Sequence, residues 1–164
     1  MFMDMLNINF ENIFASYMTF IILLILFLSS FAYVYYKSGS KLTRAILAFL
    51  IIQYTYLNFW ILKINPVDYL SFLQIDNKYK FAIFHLAILF VTLIALRYIY
   101  INSYAKTYKK ILMSFAFALL AFIYLAPIFS LIPAVQISDS FSGFLLSPYG
   151  QFVSSIIAII SLAI

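Results

Sequence analysis

Residues Gln74–Ser103 read QIDNKYKFAIFHLAILFVTLIALRYIYINS. The stretch opens on a short polar run, Asp76-Asn77-Lys78-Tyr79-Lys80. It then stays apolar for about twenty residues, long enough to cross the hydrocarbon core of a bilayer. Inside it sit the only histidine of the chain, His85, and one of its two arginines, Arg97. An apolar run of this length predicts a transmembrane helix, and the rest of the chain reads as more of the same.

Across the 164 residues, 66% are hydrophobic and 9% charged, with a mean hydropathy of +1.08. Ordinary soluble domains are about half apolar and about a quarter charged. A chain this short has no interior large enough to hide so much apolar surface, so lipid must solvate much of it. The net charge of +5 raises the question of nucleic acid. Its placement answers no, because the basic residues cluster in short loops between apolar spans, as orientation signals do. There is no cysteine, which excludes disulfides, thiolate metal sites and cysteine nucleophiles. The opening segment MFMDMLNINFEN carries Asp4 and Glu11 without Lys or Arg, unlike the positive leader of a secretory signal.

The spacing predicts an all-α polytopic membrane protein with about five transmembrane helices in one domain, residues 1–164. The spans are expected at about 13–36, 43–62, 81–103, 111–132 and 149–164. Lys37-Ser38-Gly39-Ser40-Lys41 reads as a turn. Asn65-Pro66 breaks the second helix, and Lys63–Lys80 reads as an interfacial or half-buried loop. Pro127 falls inside the fourth span, where it removes the bond to the Ile123 carbonyl and should kink the helix. Pro133–Ser147, with Asp139 and Gly143, reads as a turn region, and the last span runs out with no polar tail.

Charge sets the expected orientation. Lys37, Lys41 and Arg44 follow the first span, and Lys106, Lys109 and Lys110 follow the third, with no acid among them. The other side holds Asp4 and Glu11, a mixed loop (Lys63, Lys78 and Lys80 against Asp68 and Asp76) and Asp139. The positive-inside rule then places the N-terminus outside and the C-terminus inside. Two small-residue faces, Ser114/Ala118/Ala121 and Gly150/Ser154/Ala158, allow close helix approach, within the chain or between subunits.

Ionisable groups inside a membrane are candidates for function. His85 lies about one turn inside the third span, and an unperturbed histidine titrates near neutrality, which suits a proton path; the more ordinary reading is a neutral histidine bonded to a neighbouring helix or headgroup, and a haem ligand would need a second His or Met across the bundle, where no other His exists. Arg97 stands about 18 Å further along the same helix, either as a fixed charge in a proton path or as an anchor snorkelling to the interface. Gln53, Asn58 and Gln151 are expected to form interhelical bonds. No glycine-rich phosphate loop, paired carboxylates, metal-spaced histidines or Ser-His-Asp set is present. No catalytic residue, metal site or cofactor bound by this chain is therefore expected, and a non-catalytic subunit of a larger membrane complex fits better than a free-standing enzyme. The expected partners are other membrane subunits and lipid, not nucleic acid.

Leu70-Ser71-Phe72-Leu73-Gln74-Ile75-Asp76, followed by Phe81, Phe84 and the leucine-rich run to Arg97-Tyr98-Ile99, resembles the amino-terminal part of the NADH dehydrogenase subunit 2 family, antiporter-like subunits of respiratory complex I. That family has a loop ending in an aspartate before a Phe- and Leu-rich third helix, and the similarity runs from about Ile13 to Ala126. It implies a membrane-arm subunit of a proton-pumping NADH:ubiquinone oxidoreductase, in the mitochondrial inner membrane or a bacterial inner membrane. The family's pumping glutamate and lysines have no counterpart here, so the resemblance implies a scaffold whose pumping residues lie on another chain. Arg97, Asn102 and Gln151 fall in the order of the functional residues of subunit a of the rotary ATP synthase, which resembles this chain less and would make Arg97 the c-ring-facing arginine. Pro133 to Ser140 is similar to the late loop of the colicin V production protein family.

Overall fold

The computed structural model describes residues 10–36, 40–97, 107–129, 131 and 140–163. Among these residues the chain is helical, with no strand. In chain order the helices are α1 (Phe10–Tyr36), α2 (Ser40–Ile61), α3 (Asn77–Arg97), α4 (Thr107–Phe129), α5 (Ser140–Leu146) and α6 (Pro148–Ala163), with a short 3-10 turn at Pro66–Leu70 between α2 and α3. Helices α1 to α4 are long and apolar enough to cross a membrane. Helix α6 is apolar but has 16 residues, about 24 Å of rise against a hydrocarbon core of about 30 Å. Four helices of spanning length thus stand where the sequence suggested about five.

Several boundaries differ from expectation, for one reason. Hydropathy marks where lipid begins, whereas a helix ends where its backbone bonds end. The run Asn77–Lys80, expected as loop, is the first turn of α3: the Asp76 carbonyl accepts from the N–H groups of Tyr79 at 3.0 Å and Lys80 at 3.1 Å. Lys109 and Lys110 likewise lie in the first turn of α4, and Lys41 and Arg44 in the first turns of α2. Ser140–Leu146, expected within a turn region, is a helix. Residues 37–39, 98–106 and 132–139, which hold Lys37, the expected end of the third span with Asn102, Lys106, Pro133 and Asp139, lie outside the described residues, as do Asp4 and Ile164. Pro127 is inside α4, two residues before its last, Phe129.

The link from α2 to α3 is built from local backbone bonds. Helix α2 closes in a double bond of its last turn, Ile64 N–H to the Phe59 carbonyl at 2.9 Å and Lys63 N–H to the Trp60 carbonyl at 3.2 Å. This closure puts Lys63 at φ 54°, a left-handed position that glycine usually fills. Asn65 then caps the 3-10 turn, its side-chain oxygen accepting from Val67 N–H at 3.2 Å, and Pro66 needs no donor at the first position.

Helix α4 is the centre of the bundle. It packs against α1, α2 and α6, and Met113, Ala116, Leu120, Ala121 and Tyr124 join Ile46, Phe49 and Ile52 of α2 and Ala158 of α6 in the main core. A smaller core joins Leu119 and Phe122 of α4 to Leu145 of α5. Both small-residue faces are buried inside the chain: Ser114, Ala118 and Ala121 on α4, and Gly150, Ser154 and Ala158 on α6. Gly150 marks the tightest approach, since a Cβ there would lie 2.1 Å from the Phe144 carbonyl oxygen and 2.7 Å from Leu145 Cα. Helix α3 leans on α2 and on the 3-10 turn, and buries only Ala82, His85 and Leu96. Its remaining face, with Leu86, Phe90, Val91 and Ile94, is exposed, as suits contact with lipid.

Candidate functional site

His85 enters the bundle eight residues into α3, about 12 Å from its start. Its side chain is buried, at 5% exposure, and both ring nitrogens are engaged. Nδ1 is 2.7 Å from the Tyr56 hydroxyl on α2, and Nε2 is 2.7 Å from the Tyr124 backbone carbonyl on α4. A carbonyl only accepts, so Nε2 must carry the hydrogen. In the neutral ring Nδ1 is then the acceptor, and the Tyr56 hydroxyl donates to it. The Tyr124 hydroxyl in turn donates to the His85 carbonyl. His85 and Tyr124 thus exchange bonds in both directions, each using its side chain on the other's backbone.

The rings around this exchange are stacked. The centroids of His85 and Tyr124 are 3.7 Å apart with planes 19° from parallel. Phe81, one turn before His85 on α3, stacks on the histidine at 5.5 Å, and Tyr56 contacts both Phe81 and His85. The i, i+4 spacing of Phe81 and His85 puts the two rings on one side of α3, facing the C-terminal turns of α2 and α4.

A second polar tie joins α2 to α6. Gln53 donates through Nε2 to the Gln151 carbonyl at 3.2 Å, and its Oε1 accepts from the Ser155 hydroxyl at 2.8 Å. Gln151 donates through Nε2 to the Leu146 carbonyl at 2.9 Å, holding the short α5 against the start of α6. Between the two ties lies a cavity of about 400 Å³, lined by Gln53, Tyr56, Phe81, His85, Tyr124 and Gln151 together with apolar side chains of α2, α4 and α5.

The sequence-derived candidates therefore divide. His85, Gln53 and Gln151 come together around this cavity. Asn58 bonds back to the Tyr54 carbonyl of its own helix at 2.8 Å, so its amide tie runs along α2 and not across to a neighbour. Arg97 is the last described residue of α3 and is exposed, at the end remote from His85. That end also carries Lys41 and Arg44 at the start of α2 and Lys109 and Lys110 at the start of α4. There Lys110 Nζ sits 5.8 Å from the ring centroid of Tyr35, joining the end of α1 to the beginning of α4.

Tyr56 and Tyr124 were not singled out by sequence. Tyr residues at the ends of spans suggest headgroup contact, but these two lie about 8 Å inside their helices. The usable signal was Gln53-Tyr54-Thr55-Tyr56, where Gln53 and Tyr56 stand three residues apart on one face. Among the described residues no three His, Cys, Asp or Glu side chains converge. The arrangement can hold helices together, offer hydrogen bonds to a small molecule in the cavity, and fix one tautomer of a histidine. No family model, no curated protein and no solved structure matches the chain.

Proposed function

We propose that the chain is a scaffold subunit in the membrane arm of a proton-pumping NADH:ubiquinone oxidoreductase of the mitochondrial inner membrane. The observation that carries the scaffold reading is the state of His85. This buried histidine spends both ring nitrogens on ties between helices, and the carbonyl at Nε2 leaves no site there for an incoming proton. A relay needs a group that can gain a proton on one side and lose it on the other. The two bonds support reading His85 as a clasp.

The choice of assembly rests on the run Leu70–Asp76 and the Phe- and Leu-rich helix after it. Asp76 stands immediately before α3, in keeping with that pattern. The broad apolar faces of α1 and α3 are available to lipid and to neighbouring membrane subunits.

Native gel separation of solubilised membranes, with mass spectrometry of the band that holds this chain, tests the proposal. The expected band is of megadalton size and contains flavin and iron–sulfur subunits. A band lacking them overturns the reading. Arg97→Ala should reduce assembly more than turnover per assembled complex; an assembled complex that loses all proton flow would transfer the chain to the ATP synthase.

A further inference from the structure

We infer that the cavity between α2, α3, α4 and α6 is a binding site for an uncharged, lipid-soluble molecule that carries a flat ring and a hydroxyl group, of the alkylphenol type. The inference does not depend on which assembly the chain serves. It starts from what lines the space.

The cavity, of about 400 Å³, is within the range of sites for small organic ligands. Among the described residues no Lys, Arg, Asp or Glu lines it. A charged ligand would lie there without a counter-charge in a medium of low dielectric, which is costly. The ligand is therefore neutral. Because most of its walls are formed by the spanning helices α2, α3 and α4, it arrives from lipid and must be soluble there. The rings of Tyr56, Phe81 and Tyr124 form part of the lining, and such rings favour a flat aromatic partner in offset or edge contact.

The polar groups then specify the head. Gln53 and Gln151 each use one amide N–H in their helix ties, and each amide has a second. Both residues line the cavity, so the site offers donors. It offers an acceptor too. Pro127 has no N–H, so the Ile123 carbonyl in the last turns of α4 loses its regular helical donor, and Ile123 and Pro127 both belong to the cavity wall. A hydroxyl answers both kinds of group, donating one bond and accepting others. A ketone satisfies only the donors, and a plain hydrocarbon neither.

The test is equilibrium binding to the full chain in lipid nanodiscs, with empty nanodiscs correcting for partition. The probes are 4-octylphenol, octylbenzene (ring without hydroxyl) and octanol (hydroxyl without ring). The expected result is saturable binding of 4-octylphenol at one per chain, with the other two at least about tenfold weaker, the order of one lost hydrogen bond or ring contact. Ile123→Trp, which fills the space from α4, should abolish saturable binding while circular dichroism keeps its helix content. Leu146→Trp, which fills it from α5, repeats the experiment if Ile123→Trp does not fold. Equal binding of the three probes, binding no greater than to empty nanodiscs, or binding that survives a folded filling variant would each overturn the inference.

Discussion

Helices α3 and α4 are a near-matched pair with opposite fates. They have 21 and 23 residues, and their most apolar windows have mean hydropathies of 2.1 and 2.4. Yet 17% of that window is buried inside the chain in α3 and 56% in α4. What differs is the size of the side chains. Helix α4 sets Ser114, Ala118 and Ala121 against its neighbours, and in lipid, where apolar burial gives no drive between helices, close backbone approach provides the association. Helix α3 carries Ile83, Leu86, Phe90, Val91, Leu93 and Ile94 on its exposed sides and sends one alanine, Ala82, inward near its start. With little close packing against α4, α3 reaches it through directed bonds, at His85 and Tyr124. The protein therefore holds one helix by fit and the other by hydrogen bonds and stacking.

If that contrast is right, adding bulk should damage the helices held by fit far more than α3. The largest effect is expected from Gly150→Ala on α6. The new Cβ would meet backbone atoms of Phe144 and Leu145, which no rotamer change relieves, so the corner between α5 and α6 must open. We expect a loss of about 3 kcal/mol or more, at the top of the range for overpacking, measured as unfolding free energy in mixed micelles. Ala118→Leu in the centre of α4, at 1% exposure, should lose about 1–3 kcal/mol in the same assay. The same change on an exposed turn of α3, Ala87→Leu, should stay within about 0.5 kcal/mol. Equal costs at positions 87 and 118 would break the contrast.

The sequence made one half of this contrast legible. Long apolar runs marked the four spanning helices, and the spacing of Gly150, Ser154 and Ala158 marked a close-packed face, because small residues at intervals of four have no other reason to align on one side of a helix. Helix starts were hidden, since Asn77–Lys80 are polar and yet helical: the backbone continues its bonds into the headgroup region, where water and charge are available. Gln53, Gln151 and His85 were legible as polar groups in apolar surroundings. Their partners were not, because Gln53 meets the carbonyl of a residue 98 positions away and His85 one that is 39 away. Tyr124 contributes a carbonyl as much as a hydroxyl, and every residue has a carbonyl, so nothing in its identity announces the role.

The half held by directed bonds is tested at His85. His85→Leu removes both ring bonds and the stack on Tyr124. Interhelical bonds in membranes average about 0.6 kcal/mol each, with aromatic pairs adding about 0.5–1.5 kcal/mol, so a total near 2 kcal/mol is expected. The chain has no cysteine, which makes an introduced one a clean reporter. Labelling of Ala82→Cys on the inner face of α3, at 8% exposure for the native alanine, should be slow in the parent and clearly faster when His85→Leu is added. Unchanged labelling would mean that contacts with α2 and the 3-10 turn alone keep α3 in place, and that the clasp is incidental.

Tyr56→Phe should have a smaller effect than His85→Leu, and it separates the stack from the hydrogen bond. The phenyl ring keeps the contacts of Tyr56 with Phe81 and His85, while His85 Nδ1 loses its donor. The bond from Nε2 to the Tyr124 carbonyl survives, but the tautomer it needs is no longer reinforced from the other side of the ring. About 0.6 kcal/mol is expected, the average for one interhelical bond. Nitrogen chemical shifts of the ring, read by NMR on histidine-labelled protein, should still report hydrogen on Nε2, because the carbonyl beside it accepts from no other tautomer. A mixture of tautomers in Tyr56→Phe would place the control of the ring on α2 instead of α4. Helix α3 would then be held chiefly by the neighbour it leans on, and the division between a helix held by fit and one held by bonds would have to be redrawn around α2.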